Sequence, residues 1–143
     1  MRVTLHSDYA LRLLMYLAVA RERRASAEDV AQAYGLSRNH LMKVAQGLVR
    51  AGFVESTRGR GGGLELAMDA DKINIGAVIR AMEQDLALVE CMGEHNACVI
   101  AGACRLKGVM QEALRAWLAV LDKYTLADLV QRPAPIRRML AVE

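Results

Sequence analysis

At 143 residues the chain can form one domain with a real core, or a small domain with a dimerisation element. Aromatic residues make up only 4% of it and proline occurs twice, while Ala, Leu, Met, Arg and Glu are plentiful, which favours helix and argues against an all-β sandwich. The formal net charge is +3, with ten Lys/Arg against six Asp/Glu in residues 1–67 (+4) and nine against ten in residues 68–143 (−1), so the basic excess lies where a polyanion would dock.

From the N-terminus, Ser7 is a good N-cap, and Ala10, Leu13, Leu14 and Leu17 recur at helical spacing, which predicts a helix to about Arg23. Asp8 falls in its first turn, where a carboxylate complements the helix dipole. Ser26 with Asp29 resembles a capping box and opens a short helix that stops at Gly35, and Ser37 caps a third helix ending near Gly52. The second and third helices fit a helix-turn-helix: Ala31 permits close packing, Gly35 the tight turn, and Val30, Tyr34, Leu36, Leu41 and Val44 fall on its apolar positions. Residues 53–58 and 64–67 read as two strands joined by the Gly-Arg-Gly-Gly-Gly stretch at 59–63, placed as the wing of a winged helix. That stretch lacks the Lys-Ser/Thr and the helix start of a nucleotide-phosphate loop.

Ile75, Val78, Ile79 and Met82 mark a further helix on this core. All three cysteines of the chain, Cys91, Cys98 and Cys104, follow in one loop that also contains Gly93 and Gly102. From Leu106 a long amphipathic helix carries Val109, Met110, Ala113, Leu114, Trp117, Leu118 and Leu121 on one stripe, which is expected to meet a partner helix from a second subunit. Thr125 and Asp128 cap a short helix, and the tail from Arg132, which holds both prolines, is expected to be poorly ordered. The expected division is a winged helix-turn-helix DNA-binding domain over 1–85, the cysteine loop over 86–105, a dimerisation helix and short helix over 106–131, and the tail over 132–143. With no apolar run near the roughly 20 residues of a membrane span and no signal-peptide pattern, a cytoplasmic location is expected.

The candidate recognition helix presents Ser37, Arg38, Asn39, His40 and Lys43. Arginine pairs bidentately with guanine and asparagine with adenine, so Arg38 and Asn39 are the candidates for specificity, and Lys43, Arg58 and Arg60 for the phosphate backbone. An odd number of cysteines argues against a disulfide framework, and soft thiolates gathered in one loop suit a shared metal ligand. Their spacing, Cys-x6-Cys-x5-Cys, is too wide for zinc knuckles but is tolerated by an iron-sulfur cluster. Three thiolates leave one position open, which His95 or a residue from elsewhere could fill. No triad or oxyanion pattern accompanies the cysteines and no grouping of His, Asp and Glu suggests a substrate pocket, so an enzyme is not expected.

Taken in order, the opening Ser7-Asp-Tyr-Ala-Leu-Arg, the helix-turn-helix over 30–49, the Arg58-Gly-Arg-Gly-Gly-Gly wing and three cysteines before a long helix resemble the IscR/NsrR family of iron-sulfur winged-helix transcription regulators. IscR-like members carry a histidine three residues after the last cysteine; Lys107 stands there, and the sequence is more similar to the nitric-oxide-sensing NsrR branch. The first cysteine gap is six residues where five is commoner in relatives, which leaves a role for His95 open. The resemblance implies a homodimeric repressor on a palindromic double-stranded DNA operator, and a 4Fe-4S cluster rather than 2Fe-2S. It implies cluster ligation by Cys91, Cys98, Cys104 and Asp8 of the opposite subunit, with operator release on nitrosylation or loss of the cluster. The alternatives are the same fold sensing iron-sulfur supply or redox state, and a zinc-stabilised DNA-binding protein with no sensing role.

Overall fold

Helix α1 (Leu5–Val19) is the hub of the computed structural model, which describes residues 2–20 and 24–142. Ala10, Leu13, Leu14 and Val19 on one side of it are fully buried. Around it pack α3 (Arg38–Arg50), α4 (Ile75–Met82), α6 (Leu126–Leu129), α7 (Pro133–Leu140) and β2 (Gly63–Leu66). Helix α2 (Ala27–Tyr34) leans on α3, and β1 (Val54–Thr57) leads from α3 into the hairpin. Single 3₁₀ turns stand at Ala70–Lys72 and Glu90–Met92, and α5 (Leu106–Leu121) follows the cysteine loop. The fold is thus mainly helical with a winged helix-turn-helix at its centre. Among the described residues no helix is long and apolar enough to cross a membrane.

Local signals explain the helix-turn-helix. Ser26 and Asp29 form a complete capping box, with Ser26 N–H donating to the Asp29 carboxylate at 2.8 Å and Asp29 N–H to Ser26 Oγ at 3.0 Å. Gly35 ends α2 at φ 66°, a left-handed conformation that a side chain would strain. Ser37 then accepts from His40 N–H and starts α3, whose Leu41, Val44, Ala45 and Leu48 face the core. The wing is an antiparallel pair in the register Val54 with Leu66 to Thr57 with Gly63. Ala25 and Leu64 exchange backbone hydrogen bonds of 3.0 and 2.7 Å, so the segment before α2 flanks β2 on its other edge.

Three boundaries differ from the sequence expectation. The first helix is capped by Thr4, not Ser7; Thr4 N–H and Oγ1–H both donate to Glu83 Oε1, at 2.8 and 3.0 Å, and Ser7 is buried inside the first turn. That cap is selected by a residue 79 positions away. Helix α1 ends at Val19, and the expected extension over residues 21–23 lies outside the described residues. The tail expected to be poorly ordered is helix α7: Pro133 starts it, where a missing N–H costs nothing, Leu140 is buried and Arg137 donates to Val19 O. Helices α6 and α7 return the chain to α1, so the core draws on both ends of the sequence.

Leu41 is fully buried where α3 meets the core. Leu41→Ala should lower unfolding stability by about 2–5 kcal/mol in a urea titration, and should do so without altering any group on the exposed face of α3.

Candidate DNA interface and cysteine loop

Ser37, Arg38, Asn39 and Lys43 are exposed along the first half of α3, and Arg58 and Arg60 are exposed at the wing tip. Ser37 spends its Oγ on the helix cap, leaving its hydroxyl hydrogen free to donate. Arg38 is engaged by α2: its Nε lies 2.8 Å from Glu28 Oε2 in an ion pair. An open groove of about 620 Å³ runs between α3 and the wing and is lined by Glu28, Arg38, Gln46, Arg50 and Arg58. Three guanidinium groups against one carboxylate make this a surface for a polyanion.

The wing tip is built by glycines. A Cβ on Gly62 would lie 2.9 Å from Gly59 O and 3.0 Å from the Arg58 carbonyl carbon, and closer still to Thr57 O. All three are backbone atoms, so the tip has no cheap way to yield. Behind it, Arg24 reaches Gly61 O at 3.2 Å and the buried Glu65 carboxylate at 3.3 Å, anchoring the hairpin to the segment before α2.

His40 sits differently from its neighbours. It is half-buried, with its ring 4.7 Å from that of Tyr9 at 57° and stacked on His6 at 6.4 Å. His6 is pushed below its ordinary pKa, first by burial and then by the positive fields of His40 and Arg50, with Glu83 opposing. The same α1 turn carries Asp8, whose two oxygens accept from Arg12 Nε at 3.1 Å and Nη2 at 2.9 Å. The Arg12 guanidinium lies 5.5 Å from the Tyr9 ring centroid and 5.9 Å from that of Tyr34. Tyr34, whose phenol is pushed up by burial, donates to Arg12 O at 3.0 Å. Contacts therefore run without a gap from Asp8 through Arg12 and Tyr9 to His40 on α3.

The three cysteines are unpaired, Cys98 and Cys104 exposed and Cys91 partly covered. Cys91 lies in the 3₁₀ turn that rests on α5. Cys98 N–H donates to Asn96 Oδ1, Cys104 N–H to Ile100 O, and Leu106 N–H at the start of α5 donates to Cys104 Sγ at 3.4 Å. Of these only the Leu106 N–H reaches a sulfur, and hydrogen bonds of that kind tune the potential of sulfur-held clusters. Among the described residues no three His, Cys, Asp or Glu side chains converge as ligands about 2.3 Å from one zinc ion would have to. His95 is exposed between the first two cysteines, and Asp8 belongs to α1, outside the loop.

Sequence reasoning missed Arg12 as the partner of Asp8, Glu28 as the partner of Arg38, and the Arg24–Glu65 anchor. The first was visible as an i, i+4 pair. The other two join different elements and had no local signal.

Comparison with known proteins adds the following. Residues 3–132 match the model of the Rrf2 family, described as iron-dependent transcriptional regulators. The HTH-type transcriptional regulator NsrR of Bacillus subtilis is 48% identical over all of this chain and 99% of its own length, and that of Shouchella clausii is 46% identical over 98% and 95%. Among solved structures, T. potens IscR superposes with a TM-score of 0.73 at 28% identity, covering 92% of this chain and 87% of that one. CymR, the global cysteine regulator of B. subtilis, superposes with 0.67 at 27% identity, covering 92% and 97%.

Gly62→Ala should weaken binding to duplexes of every sequence alike. With Arg58 and Arg60 as the expected phosphate contacts of the wing, the slope of log affinity against log salt should flatten by about one to two units, read by fluorescence anisotropy, with helix content unchanged by circular dichroism.

Proposed function

The chain belongs to the Rrf2 family of iron-dependent transcriptional regulators, and from that premise we propose that it is a homodimeric, DNA-binding repressor whose iron-sulfur cluster answers nitric oxide. The observation that carries this reading is the gathering of every cysteine, all unpaired, in the one loop between α4 and α5. Cys91, Cys98 and Cys104 are the proposed thiolate ligands, and the partner subunit's Asp8 the fourth. A four-iron cluster is proposed over a two-iron one. The choice rests on the likeness to NsrR regulators, since both cluster types take four protein ligands. Support for the dimer comes from α5, where Leu118 alone is buried and Leu106, Val109 and Val120 keep 44, 57 and 50% of their exposure.

When bound, the cluster supplies iron at which nitric oxide competes with the hard oxygen of a carboxylate. The chain's own residues convert that competition into DNA affinity. Asp8 is half-buried in its pair with Arg12, so its carboxylate is accessible yet has a partner within its own helix to return to. Arg12 and Tyr9 transfer any change at Asp8 to His40 on α3. Two half-sites require two recognition helices about 34 Å apart. A ligand that ties the start of α1 to the other subunit selects that spacing, and its loss removes the constraint. Within each subunit Arg38 and Asn39 read bases, Ser37, His40 and Lys43 complete the contact of α3, and Arg58 and Arg60 hold the backbone. Lys107 at the start of α5, in place of a histidine, favours nitric oxide over iron-sulfur supply as the signal.

Purified without oxygen, the protein should be brown, contain iron and acid-labile sulfide, and lose its visible absorption together with operator binding as nitric oxide is added. A colourless protein containing zinc would overturn the proposal. Asp8→Ala should still bind a cluster through three thiolates but lower cluster-dependent operator affinity by roughly tenfold; equal affinity would remove Asp8 from the mechanism.

A further inference from the structure

The contact between α2 and Arg38 is more than a surface ion pair. Glu28 is the second residue of α2, and both of its oxygens are engaged: Oε2 lies 2.8 Å from Arg38 Nε in an ion pair, and Oε1 accepts from Gln32 Nε2, one turn along the same helix, at 3.3 Å. Contacted from two sides, the carboxylate draws the guanidinium toward one orientation. Arg38 and Glu28 keep 60 and 50% of their side-chain exposure, and both line the groove between α3 and the wing. A pair this open to water adds little to the stability of the fold. Its effect is geometric. By using the inner nitrogen, Nε, it leaves the outer edge formed by the two Nη groups unused, and that edge matches O6 and N7 of guanine bidentately.

We propose that Glu28 is a specificity-determining positioning residue, which orients Arg38 so that its Nη edge meets one guanine of the operator. This rests on the assignment of Arg38 as a base-reading residue. Glu28 also places a negative charge on a face that approaches phosphates. It therefore lowers affinity for DNA in general while sharpening the choice among sequences, and removing it changes the two in opposite directions. A residue that merely supported α2 would change both in the same direction.

The test uses the full-length, cluster-loaded protein. An operator is first selected from a random-sequence duplex pool by the unaltered chain, and affinities are then measured for that operator, for variants with each base pair replaced, and for a random duplex. Glu28→Gln should lower discrimination at one G·C pair by roughly tenfold, a part of what a bidentate contact provides, and raise affinity for the random duplex by about twofold or more. Glu28→Asp, which keeps the charge but shortens the reach, should lose the discrimination without the gain. Arg38→Ala should relax the same base pair, and adding Glu28→Gln to it should relax that pair no further. If Arg38→Ala leaves every base preference intact, the base-reading assignment fails and the proposal with it. If Arg38→Ala relaxes one pair and Glu28→Gln does not, the positioning role alone is overturned. A uniform loss of affinity in Glu28→Gln, together with a lower melting temperature, would likewise overturn it in favour of a structural role.

Discussion

The burial of α1 is the constraint on which the other elements depend. Ala10, Leu13, Leu14 and Val19 are fully buried, and the helix touches α3, α4, α6, α7 and β2. Each fully buried leucine is worth roughly 1.5–3 kcal/mol relative to exposure, so α1 has no inexpensive way to slide against one neighbour while holding the others. Close-packed interiors transmit displacement because they do not absorb it. A displacement of the first turn of α1 would therefore reach α3 through the packed layer.

The polar groups around this core have a different task. Asp8–Arg12 and Glu28–Arg38 are open to solvent, and exposed pairs contribute about 0–1 kcal/mol. Their value lies in direction: each fixes a guanidinium or a carboxylate that would otherwise rotate freely. Arg24–Glu65 is the contrast. Its carboxylate is buried, so losing Arg24 would leave a charge with weakened compensation under the wing, a cost larger than the pair's own attraction. The wing is thereby held by both backbone bridging at Ala25 and a desolvated acid.

What could be read from the sequence followed what is local. The capping box at Ser26 and Asp29, the left-handed Gly35 and the Ser37 cap lie within a few residues of what they control, and the helix-turn-helix and wing were legible from them. The start of α1 was misplaced because Thr4 owes its orientation to Glu83, which no window of sequence near residue 4 contains. Helix α7 was taken for a disordered tail because two prolines and three arginines look like an exposed end; its docking comes from Leu140 and from Arg137 meeting the last carbonyl of α1. The candidate ligand residues were legible as chemistry, and Arg12 beside Asp8 was legible as an i, i+4 pair, whereas Glu28 emerged as the partner of Arg38 only once α2 and α3 were placed beside one another.

The cysteine loop is bounded by two fixed points. Arg80 on α4 grips the Asp122 carboxylate at the end of α5, with one contact at 2.8 Å, and Asn74 Nδ2–H donates to Asp122 O at 2.8 Å. The hydrogen bonds from Arg80 hold the Asp122 carboxyl below its ordinary pKa, so the clasp extends further into acid than an unpaired carboxylate would allow. The clasp fastens α4 to the far end of α5, and residues 83–105 run between the two helices. The first of these is Glu83, whose carboxylate caps the start of α1 through Thr4. The segment that carries the cysteines is thus tied to the first turn of α1 within its own subunit.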